Sequence, residues 1–87
     1  MGWGAARKLG QVLDNAARVL AVEVLCAVQG IEYRRPLEPA PRTAEIVRAV
    51  RRMVPPLTAD RPPAPDIEAV ARLIEEGVLE EAAGLPV

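Results

Sequence analysis

Ten consecutive residues, Val19 to Val28 (VLAVEVLCAV), hold a single polar side chain, Glu23. This run sits inside a longer helical pattern. From Lys8 onward, Leu9, Val12, Leu13, Ala16, Ala17, Val19 and Leu20 recur at helical spacing and make a wide apolar stripe. Arg7, Lys8, Gln11, Asp14, Asn15 and Arg18 take the opposite arc. Beyond Val19 the polar arc is lost, because Val22 and Leu25 fall on it. A helix that is apolar all round is a buried helix. Each fully buried Val or Leu is worth roughly 1.5–3 kcal/mol over exposure. What remains of the chain is too short to cover such a helix on every face, so other chains or further sequence are expected to cover the remainder. Gln29-Gly30 is expected to stop the helix, with Gly30 in a left-handed conformation.

An 87-residue chain makes at most one small domain, and chains of this size often need a staple. Cys26 is the sole cysteine and there is no histidine, which excludes an internal disulfide and argues against a zinc site. Without histidine, Cys26 has no activating base and reads as a small core hydrophobe. Glu23 needs either a cation from another element or a path to solvent, since no Lys or Arg lies three or four residues away.

The rest of the chain divides at its prolines. Residues 1–30 read as the long core helix, with Met1 to Gly4 as a frayed start around Trp3. A proline-rich connector follows at 31–42, in which Tyr33 and Leu37 are expected to pack on the helix. Residues 43–54 (TAEIVRAVRRMV) read as a second helix capped by Thr43. Ile46, Val47, Val50, Met53 and Val54 form its apolar stripe, and Arg48, Arg51 and Arg52 a basic face. A second connector occupies 55–64. The segment 65–87 opens with Pro65, Asp66 and Glu68, strong start signals, and carries a Glu68–Arg72 pair one turn apart. Gly77 should stop this helix, Val78 to Ala83 add a short turn, and Gly84 to Val87 fray. The fold class is therefore all-α: one long apolar helix, then two shorter ones on proline-rich connectors.

Charge is uneven along the chain. Residues 1–61 hold ten of the eleven basic side chains, while residues 62–87 set Arg72 alone against six carboxylates, so the two parts are expected to complement each other. A formal charge of −1 gives no net pull toward nucleic acid, and three arginines without interleaved aromatics read as a solvated face or as partners for carboxylates. The apolar run is too short to span a membrane, which takes about 18 residues or more. With one cysteine and no export signal, the setting expected is cytoplasmic. No catalytic, cofactor-binding or metal site is assigned to any position. Glu75-Glu76 and Glu80-Glu81 are adjacent pairs that face apart on a helix.

Three stretches, MGWGAARKL, DNAARVLAVEVLCAVQGIEYR and DRPPAPDIEAVARLIEEGVL, resemble in order and spacing the C-terminal segment of bacterial histidine ammonia-lyases, members of the aromatic amino acid lyase family. The resemblance covers nearly the whole chain. It implies a fragment of a larger helical-bundle enzyme, a homotetramer that converts L-histidine to trans-urocanate and ammonia in histidine degradation. It also implies a methylidene-imidazolone electrophile formed from an internal Ala-Ser-Gly upstream, and an active-site glutamate in a Glu-Asp-His-Val-Ser segment just before Met1. The chain has no Ala-Ser-Gly, Tyr33 matches no catalytic motif, and Ala64 stands where the family has a small polar residue. The implied role is structural and oligomerising, inactive alone, with the missing N-terminal part and further copies as partners. A stand-alone helical interaction module is the alternative reading.

Overall fold

A computed structural model describes the backbone of residues 2–56 and 61–85 and the side chains of these from residue 4 onward. Expectations that concern the side chain of Trp3, the middle of the second connector and the last two residues lie outside that range. Four helices follow one another: α1 (Gly2–Tyr33), α2 (Pro41–Met53), α3 (Ala64–Glu75) and α4 (Val78–Ala82). Among the described residues there is no strand.

α3 is the principal partner of α1, while α2 packs mainly on α4 and meets α1 and α3 less extensively. Ala17, Ala21 and Val28 of α1 are buried, with Val24, Leu25 and Ile31 partly so. Small side chains at positions 17 and 21 let α3 come close. Val50, Val54 and Val70 are the largest fully buried side chains and mark the centre of the core.

Several expectations are corrected. α1 does not stop at Gly30. A glycine inside a helix costs only about 0.5–1 kcal/mol, and beyond it Ile31 packs on the core while Glu32 finds an arginine on α2. Termination comes instead at Arg34-Arg35-Pro36, where the amides of Arg34 and Arg35 bond back to the carbonyls of Ile31 (3.1 Å) and Glu32 (3.3 Å). The helix also takes in the glycines expected to precede it, beginning at Gly2. Tyr33 and Leu37 do not pack down, and both are largely exposed.

α2 starts at Pro41, two residues before Thr43, which is therefore not its cap; Ala40 holds that place without a side-chain bond. Proline fits this first turn because its missing N–H would have had no partner there. Gly77 does take a left-handed conformation, at φ 72°, between α3 and α4. Gly84 and Leu85 do not fray. With Gly84 at φ 80°, the Leu85 amide reaches the Glu80 carbonyl (2.9 Å) and the Gly84 amide that of Glu81 (3.0 Å), closing α4 in a Schellman turn.

Candidate functional site

The most organised polar cluster lies where the C-terminal turns of α1 meet the end of α2 and the start of α3. Arg51 donates from Nε to Glu32 Oε2 at 3.0 Å and through a second nitrogen to Glu32 Oε1, a two-pronged pair across α1 and α2. Its Nη1 also reaches the carbonyl oxygens of Val54 (3.2 Å) and Pro55 (3.4 Å). Arg61 approaches from the other side. Its Nε donates to Asp66 Oδ2 at 3.0 Å, Nη2 to the Pro55 carbonyl at 2.6 Å and Nη1 to that of Pro56 at 3.4 Å. The two guanidinium groups thus share the Pro55 carbonyl, with Arg51 also on that of Val54 and Arg61 on that of Pro56, in a stretch whose prolines have no N–H to donate. The hydrogen bond from Arg51 holds the Glu32 carboxyl below the usual carboxylate range, against the opposing effect of burial.

These residues rim a cleft of about 380 Å³ floored by Leu25 and Val54. Both cations already face their own carboxylate and carbonyls inside the chain, so the cleft offers no free charge to a ligand. Its chemistry is that of a staple. A third pair, Arg18 Nε to Glu68 Oε1 at 2.6 Å, joins α1 to α3 at the surface. That pair replaces the expected Glu68–Arg72 pair, because Glu68 turns toward α1. Arg48 pairs with Glu45 on its own helix, and Arg52 is exposed. The basic face of α2 is therefore divided among three fates.

Cys26 and Glu23 are exposed on α1, not buried as the apolar run suggested. Glu75, Glu76, Glu80 and Glu81 are exposed as well. Among the described residues no three His, Cys, Asp or Glu side chains gather to hold a metal, and no helix is long and apolar enough to cross a membrane. The chain contains neither serine nor the Ala-Ser-Gly from which a methylidene-imidazolone forms, so its residues do not fit that group. The expectation that the two parts of the chain complement each other had the right signal for Arg18–Glu68 and Arg61–Asp66, which both join residues 1–61 to residues 62–87. The Arg51–Glu32 pair gave no such signal, since it requires α1 to run past Gly30.

The model of the aromatic amino acid lyase family matches residues 1–52. A histidine ammonia-lyase of Symbiobacterium thermophilum is 50% identical over 82 residues, covering 94% of this chain and 16% of the relative. One from Sorangium cellulosum is 48% identical over 88 residues, covering 97% of this chain and 17% of the relative. Another from Anaeromyxobacter dehalogenans is 48% identical over 80 residues, at 92% and 16%. No solved structure matches. The chain thus spans about 16–17% of the length of these relatives. With a family model covering more than half of it, the chain belongs to the aromatic amino acid lyase family.

Proposed function

We propose that these 87 residues are the C-terminal structural and oligomerising segment of a histidine ammonia-lyase, acting in the cytoplasm and inactive alone. The observation that carries this reading is the combination of two facts. Likeness to histidine ammonia-lyases runs over nearly the whole chain, while its most buried ion pairs, Arg51–Glu32 and Arg61–Asp66, are internal staples and one face of α1 stays apolar and open. A segment so built supplies surface, not chemistry. The electrophile, the substrate-binding residues and the acid–base groups would come from the remainder of the enzyme, upstream of these residues.

The test is complementation. The chain alone, and then co-expressed with the upstream portion of a related lyase, is assayed for urocanate by its ultraviolet absorbance with L-histidine. Activity only on co-expression is the expected result. Urocanate formed by the 87-residue chain alone would refute the reading, as would a co-expressed pair that copurifies yet stays inactive.

A further inference from the structure

The connector between α2 and α3 is short of backbone donors. Pro55, Pro56, Pro62 and Pro63 carry no N–H. The backbone bonds that bracket it run from the Val54 amide to the Val50 carbonyl (2.8 Å) and from the Ile67 amide to the Pro63 carbonyl (3.0 Å), and among the described residues none lies between them. Two side chains supply the missing donors. Arg51 and Arg61 meet at one acceptor, the Pro55 carbonyl, at 3.4 Å and 2.6 Å.

Two cations drawn to one neutral oxygen repel each other. Each is offset by a carboxylate of its own, Glu32 from α1 and Asp66 from α3, and all four side chains are less than one-third exposed. Partly buried charges are screened much less than those in open water. The two pairs also feel each other. The Arg51 guanidinium is held above its usual range first by its hydrogen bond to Glu32, and the Asp66 carboxylate adds to this from the far side of the connector. Neutralising Glu32 therefore does more than release Arg51. It leaves an uncompensated cation beside Arg61, with Asp66 as the nearest carboxylate for both. Arg61 then holds Pro55 less firmly, and the effect arrives at the first turn of α3, where Asp66 sits.

We propose that Glu32–Arg51 and Arg61–Asp66 form one clasp, coupled through the Pro55 carbonyl, by which the last turn of α1 sets how firmly the start of α3 is held. This goes beyond the role proposed above and does not rest on it, since the readouts are unfolding and hydrogen exchange of this chain, not lyase activity. Glu32 and Arg61 make no ion pair with each other, which suits them to a double-mutant cycle. Glu32→Gln and Arg61→Gln should each raise the unfolding constant. Made together, they should raise it at least about threefold less than the product of the two single effects. The matching cycle of Glu32→Gln with Arg18→Gln, which breaks an α1–α3 pair that touches no connector carbonyl, should be multiplicative. Hydrogen exchange gives a reading from the conservative variant alone. In Glu32→Gln the Ile67 amide should exchange at least about threefold faster relative to the Ala83 amide of α4, as local opening at the clasp requires. Full multiplicativity of the Glu32/Arg61 cycle overturns the proposal. So does equal coupling in the Arg18 cycle, or an Ile67-to-Ala83 ratio unchanged from the native chain.

Discussion

The Glu32–Arg51 pair shows what single residues do here. Both side chains are about four-fifths buried, and the guanidinium serves two carbonyls besides the carboxylate. Removing Arg51 would leave Glu32 and the carbonyl of Val54 short of donors, while Pro55 would keep the one from Arg61. Arg51→Ala should lower stability by about 1–3 kcal/mol, read from denaturant unfolding. The pH dependence follows from Glu32. Its folded value is held below the ordinary one by the Arg51 hydrogen bond, so its contribution is present above the ordinary carboxylate range and is lost as pH falls through the folded value. The melting temperature of the native chain should therefore drop more steeply between about pH 5 and pH 3 than that of Glu32→Gln. At neutral pH the variant should already melt lower. Glu68, exposed beside Arg18, shifts in the same direction but is screened by solvent.

Elements were more legible in the sequence than their ends. Three helices of sufficient length, their order and their apolar stripes follow from periodicity and prolines alone, and Gly77 as a left-handed stop follows from the pattern around it. Gly30 misled because glycine at a helix end and glycine inside a helix look alike, and only the tertiary partners of Ile31 and Glu32 decide between them. Thr43 misled because a proline two residues earlier made a better first turn. Burial of Glu23 and Cys26 could not be read from the apolar run, since the run says that a helix wants cover and not which faces receive it. The α1–α3 contact yields its own test. Ala21 is fully buried where the two helices approach. Ala21→Leu should push them apart and cost about 1–3 kcal/mol, seen as a lower denaturation midpoint with helix content retained.

The whole molecule is drawn out, 55 × 34 × 17 Å with a radius of gyration of 14.9 Å, where a compact chain of this length would have about 12 Å. The reason is arithmetic. α1 rises about 48 Å over its 32 residues while α3, with 12, rises about 18 Å. Cover therefore begins only near Ala17, and residues 4–9 and 11–16 are exposed. That overhang is held by little beyond its own backbone bonds, and an isolated stretch of roughly 12–15 residues is marginal as a helix in water. Its amide protons should trade with deuterium quickly in dilute solution and more slowly as concentration rises, while those around Val50 and Val70 should not change their rate. The unsupported half of α1 thus works as a built-in gauge: how fast it takes up solvent isotope reports how much company the chain keeps.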